Sequence, residues 1–71
     1  MDQATVDRMC EELDQLEGRL HKLDSFMLTE TFRNLREVEK MLLQTQHIGM
    51  KMYRIALESR LDLYVRESTP V

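Results

Sequence analysis

Seven apolar residues in the first part of the chain recur alternately three and four positions apart, and this spacing constrains the fold more than any other feature. They are Val6, Met9, Leu13, Leu16, Leu20, Leu23 and Met27. The pattern places all of them on one narrow stripe of an α-helix and is typical of a coiled-coil seam. We therefore predict a first helix over about residues 4–25 that is buried along this stripe.

A second, longer helix is predicted over about residues 36–66, where two apolar stripes run side by side. One stripe keeps heptad spacing but is small in its middle, and it comprises Leu35, Val38, Leu42, Thr45, Gly49, Met52, Ala56, Ser59 and Leu63. The other comprises Leu43, Met50, Tyr53, Leu57, Leu61 and Tyr64. A helix that is apolar on two sides needs burial on two sides. The first helix can cover one side, and a second copy of the chain is the economical cover for the other.

The segment between the two helices contains no glycine or proline, so we predict a short turn of helix over residues 30–34. Thr29 can cap this turn, with Phe26, Leu28 and Phe32 directed inward. Asn34 tolerates the left-handed conformation that ends such a turn. The chain then reverses its direction.

The predicted fold class is all-α: an antiparallel helical hairpin that assembles into an oligomeric helical bundle. A single domain is expected over residues 1–71, with a frayed tail at 67–71. The interface between copies is predicted to include Val38, Leu42, Gly49, Met52, Ala56, Leu57 and Tyr64. A buried hairpin core without self-association is the simpler alternative for the same stripes.

The composition supports oligomerisation, because a chain of 71 residues has only a marginal core of its own. Cys10 is the single cysteine, so no internal disulfide can form, and no Cys/His cluster has zinc-ligand spacing. We find no catalytic set and expect no enzymatic activity, no cofactor and no metal. The net charge of −3 gives no reason to expect duplex DNA as a partner. With no membrane-length apolar run and no signal peptide, the cytoplasm is the expected location.

A group of basic residues on the second helix is the candidate ligand site. His47, Lys51 and Arg54 are spaced at i, i+4 and i+7, and Tyr53 and Arg60 are expected close to that line. Cations beside an aromatic ring can hold a phosphate and stack a base. A solvated basic stripe is the alternative, and the pattern alone favours it.

The run from Leu20 to Arg60 resembles a pattern found in small proteins of tailed bacteriophages. Its parts are a "KLxxF" segment from Lys22 to Phe26, an "FxxL" segment from Phe32 to Leu35, and "LLxxQxxxMxxYxxxLxxR" from Leu42 to Arg60. We associate this pattern with the crAss-like-phage-related family of short helical proteins.

The resemblance implies a small helical phage accessory protein that counters host defences in the bacterial cytoplasm. One strategy of such proteins is a helical homo-oligomer that sequesters a cyclic oligonucleotide signal of bacterial immunity, and we take this as the leading hypothesis. A protein-binding module that blocks a host protein, or a purely structural homo-oligomer, remains open. The resemblance assigns no functional residue to this chain.

Overall fold

Three helices make up the part of the chain that the computed structural model describes, residues 3–68. They are α1 (Gln3–Met27), α2 (Glu30–Arg33) and α3 (Glu37–Ser68). The long helices α1 and α3 pack against each other in a hairpin with extents of 54 × 16 × 15 Å. The all-α helical hairpin predicted from the stripes is therefore confirmed. Within residues 3–68 no strand is present.

The observed helix bounds differ slightly from the predicted ones. The first helix continues to Met27, where about residue 25 was expected, and the short helix ends at Arg33. The long helix includes residues 67 and 68, which were expected to fray. The rest of the expected frayed tail, residues 69–71, lies outside the described residues.

The core of the hairpin lies where the α1 stripe meets one of the two α3 stripes. Its buried members are Met9, Leu16, Leu20 and Leu57, and four partly buried residues pack against them: Leu13, Met50, Leu61 and Tyr64. All the α3 residues in this core belong to the second stripe. The heptad stripe with the small middle therefore faces away from α1, because one partner helix can cover only one face.

The connection between α1 and α3 is ordered by the predicted threonine cap. The Thr29 hydroxyl accepts a hydrogen bond from the backbone N–H of Phe32 at 3.2 Å and donates one to the carbonyl of Phe26 at 2.6 Å. The two phenylalanine rings meet edge to face, with their centroids 6.1 Å apart. Satisfying the first N–H groups of a helix in this way stabilises even a short turn.

Two details of the connection were predicted wrongly. Leu28 does not fold inward but is 80% exposed, because it lies on the outer side of the bend. Asn34 is right-handed, with φ −89° and ψ −1°, and not left-handed. Its backbone N–H donates to the carbonyl of Glu30 at 3.0 Å, so ordinary helical hydrogen bonding ends the turn without a left-handed residue.

Candidate binding surfaces

The side of α3 that points away from α1 is a long apolar surface. We call it the outer face: eight exposed residues at heptad spacing, Val38, Leu42, Thr45, Gly49, Met52, Ala56, Ser59 and Leu63, widened by exposed Met41, Ile48 and Ile55. Leu42 and Met52 are each 65% exposed. Large apolar patches of this kind on a small protein usually mark an interaction site.

Five of the seven residues predicted at the oligomer interface lie on this outer face. The other two, Leu57 and Tyr64, lie on the α1 side of the helix. Leu57 is only 1% exposed and belongs to the hairpin core, against which Tyr64 packs. The core needs a large side chain here, so Leu57 serves the contact within the chain and offers no surface to a second copy.

The basic residues His47, Lys51 and Arg54 line one edge of α3, beside α1, which we call the basic edge. The His47 imidazole Nε2 meets the Asp24 carboxylate across the two helices, with 16% of the His47 side chain exposed. The Arg54 guanidinium Nε lies 3.8 Å from a Glu58 carboxylate oxygen, which is an ion-pair distance but not a hydrogen bond. Lys51 is exposed and has no ion pair with any residue of the described range.

The Nε group of Arg54 is the one buried side-chain polar atom in residues 3–68 that has no hydrogen-bond partner. A donor left without a partner costs free energy, and an acceptor that reached it would recover part of that cost. Because this Nε is buried, a ligand would contact the exposed part of the Arg54 side chain, which is 36% exposed and lies beside Glu58.

Tyr53 and Arg60 do not join the basic edge. An α-helix turns about 100° per residue, so Tyr53 projects about 160° away from Lys51. Seven residues separate Tyr53 from Arg60, which places both on the same side of the helix. The Arg60 guanidinium carbon lies 5.9 Å from the centroid of the Tyr64 ring, within cation–π range. We call Tyr53, Arg60 and Tyr64 the aromatic edge.

The five residues predicted to bind a ligand thus form two groups on opposite edges of α3. The sequence analysis did not predict two contacts of these groups, that of Tyr64 with Arg60 and that of Asp24 with His47. Tyr64 could have been found, because Arg60 and Tyr64 are spaced at i and i+4 on one helix. The pairing of Asp24 with His47 joins residues 23 positions apart, and it depends on the register of the hairpin, which no local pattern encodes.

No group of three or more His, Cys, Asp or Glu side chains in residues 3–68 is placed to hold a metal ion. The described part of the chain encloses no cavity. None of the three helices combines the length and apolar character that crossing a membrane requires.

Comparison with known proteins finds one family and one phage relative. The family model of Sequestin matches residues 3–63. A protein of Enterobacteria phage T4, described as an uncharacterized 7.5 kDa protein in the denB-rIIB intergenic region, is 39% identical over 54 residues. That alignment covers 76% of this chain and 84% of the T4 protein. No solved structure matches the chain.

Proposed function

We propose that this chain, which belongs to the Sequestin family, counters host immunity by binding and sequestering a nucleotide signal. The family and the similar T4 protein confirm the expectation of a small phage protein. The family's name denotes sequestration, which is a binding role and not a catalytic one. A specific link to crAss-like phages stays a prediction.

The observation that supports the proposal is that α3 has cationic side chains along one edge and an exposed aromatic side chain along the other. A cyclic nucleotide presents anionic phosphates and flat bases. The basic edge offers the exposed ammonium group of Lys51 and the guanidinium group of Arg54, whose side chain is 36% exposed, and both suit phosphate. The aromatic edge offers Tyr53, 43% exposed, on which a base could stack.

The basic edge and the aromatic edge lie on opposite sides of α3, so one chain cannot contact the same small ligand with both edges. An assembly of several copies would remove that limit, because the basic edge of one chain can then lie beside the aromatic edge of another. The exposed outer face supplies the apolar area that such packing would bury. The proposal therefore includes a homo-oligomer, located in the cytoplasm of the bacterial host, with the ligand held between copies.

Isothermal titration of the protein with a panel of cyclic di- and trinucleotides tests this proposal. We expect binding with one of them, and we expect Lys51→Ala, Arg54→Ala and Tyr53→Ala each to weaken it by tenfold or more, the loss typical of one charged or stacking contact. Lys22→Ala is the matched control, since Lys22 is an exposed cation on α1. All four variants should keep the helical circular dichroism signal.

Two results would count against nucleotide sequestration. The first is an absence of heat with every nucleotide at protein concentrations well above micromolar. The second is unchanged affinity in Tyr53→Ala and Arg54→Ala together, which would remove these residues from the site.

The outer face also favours a second candidate function, the blocking of a host protein by an exposed helical surface. In that case the wild-type chain would capture one host protein in stoichiometric amount from a bacterial lysate and would bind no nucleotide. Met52→Glu, which places a charge in the middle of the outer face, would abolish the capture. A chain that assembles with itself but binds neither nucleotide nor host protein would be purely structural.

A further inference from the structure

Gly49 lies in the middle of α3, and nothing in its own chain requires a glycine there. The residue is helical and exposed, its φ is not positive, and a Cβ atom added to it would meet nothing within 4 Å. A glycine inside a helix costs about 1 kcal/mol relative to alanine. The small size of Gly49 is therefore unexplained by the hairpin, and it lies on the outer face, where a second helix could approach.

Large and small residues on the outer face are arranged so that the face fits a reversed copy of itself. When two copies of α3 run in opposite directions with Gly49 opposite the partner's Met52, Leu42 lies opposite the partner's Ser59. In the same register Thr45 meets the partner's Ala56, and Val38 meets the partner's Leu63. Small side chains in the middle permit a close approach of the two helix axes, within the usual range of about 8–10 Å.

A parallel arrangement fits less well. Each residue of the outer face would then meet its own copy, so that Gly49 would face the partner's Gly49 and Met52 the partner's Met52. Two small residues in one layer leave a void, whereas two large ones crowd the next layer, and both situations are unfavourable.

The charges at the ends of α3 also favour the antiparallel arrangement. The first turn carries Glu37 and Glu39 and the last turn carries Arg66. The side chains of Glu37 and Arg66 are 90% and 77% exposed, so both are accessible to a partner. Glu37 pairs with Lys40 and Arg66 with Asp62 within the chain, and antiparallel packing also brings Glu37 of one helix near Arg66 of the partner helix and opposes the two helix dipoles. Parallel packing would bring like charges together.

We propose that α3 packs antiparallel against α3 of a second copy, with Gly49 of each helix receiving the partner's Met52. The inference rests on the self-association included in the proposed function, and it specifies the face, the direction and the register. It also gives Gly49 a physical role that the isolated hairpin does not.

The first experiment compares two glycines that are equally free of neighbours in the single chain. Gly18, on the exposed side of α1, also has nothing within 4 Å of an added Cβ. Sedimentation velocity should show that Gly49→Leu shifts the protein to smaller species at a concentration where the wild type is assembled. Gly18→Leu should leave the assembly unchanged. A Gly49→Leu variant that assembles like the wild type would overturn the proposal.

The second experiment measures direction and register by disulfide crosslinking in a Cys10→Ser background. Thr45→Cys and Ala56→Cys are prepared as separate single variants and are oxidised alone and as a mixture. In the proposed register the mixture forms crosslinked dimers and each variant alone does not, because residues 45 and 56 are about 16 Å apart along one helix. Crosslinking of each variant with itself, without gain in the mixture, indicates parallel helices and overturns the proposal.

Failure of this inference can be separated from failure of the proposed function by titrating the same samples with cyclic nucleotides. Nucleotide binding by a wild-type protein that is monomeric, or that crosslinks in the parallel pattern, refutes the antiparallel pair but leaves sequestration standing. The expected crosslinks without any nucleotide binding support the pair and refute sequestration.

Discussion

Replacing Leu57 by alanine tests the assignment of the two α3 stripes most directly. Leu57 is 1% exposed and packs in the cluster with Met9, Leu16 and Leu20. Removing a buried leucine side chain costs about 2–5 kcal/mol, since apolar burial is lost and a cavity remains. A folded chain of 71 residues has a free energy of unfolding of about 4–11 kcal/mol by the usual range per residue. One substitution therefore removes a large share of the stability.

The loss can be measured by thermal and urea unfolding followed by circular dichroism. A destabilisation of about 3 kcal/mol corresponds to a fall in Tm of roughly 12–24 °C for a domain of this size. Leu63→Ala is the matched control, because it deletes the same atoms from a residue that is 51% exposed on the outer face. Both variants should be compared with the wild type over a hundredfold range of protein concentration.

The two variants should differ in how their effects depend on concentration. The loss in Leu57→Ala should persist at every concentration, because it arises within one chain. The loss in Leu63→Ala should appear only where the wild type is assembled, since only a second copy covers that residue. If Leu57→Ala costs less than about 1 kcal/mol, or no more than Leu63→Ala in dilute solution, the assignment of the core face to Leu57 is wrong.

Three smaller predictions concern the turn and the surface. Thr29→Ala should lower the free energy of unfolding by about 1 kcal/mol, because the N–H of Phe32 loses its acceptor; urea unfolding checks this, and Thr29→Ser should retain most of the stability. Gly18→Ala should raise the free energy of unfolding by roughly 0.5–1 kcal/mol, since the added methyl group meets no neighbour; a lower Tm would contradict the open surroundings of Gly18. Asp24→Ala should remove the hydrogen bond between the Asp24 carboxylate and the His47 imidazole and lower the free energy of unfolding by about 1 kcal/mol; urea unfolding checks this, and an unchanged stability would show that the contact does not hold the hairpin together.

The seam of α1 could be predicted from sequence because it is a local property. Its apolar residues occupy one face of a helix in any conformation that keeps the helix, and the residues opposite them are polar. The cap at Thr29 was predictable for the same reason, since donor and acceptor are three residues apart. The exposure of Leu28 could not be predicted in this way, because the direction of its side chain depends on how the bend packs against the hairpin.

The two apolar stripes of α3 show what a local sequence pattern cannot predict. Both are apolar, so hydrophobic periodicity alone could not say which one faces α1. Leu57 was predicted at the interface between copies, whereas it is buried in the hairpin core. The grouping of Tyr53 with the basic residues is a different case, because the helical rotation that separates Tyr53 from Lys51 by more than a third of a turn follows from their positions in the sequence.

The sequence by itself determined that the chain forms two long amphipathic helices, because backbone propensity and apolar spacing act over a few residues. Only the tertiary structure decided which face of α3 packs against α1 and which face stays exposed. It also decided that Asp24 contacts His47. Those outcomes depend on the rotation and register of α3 against α1, which are set by the fit of side chains far apart in the chain.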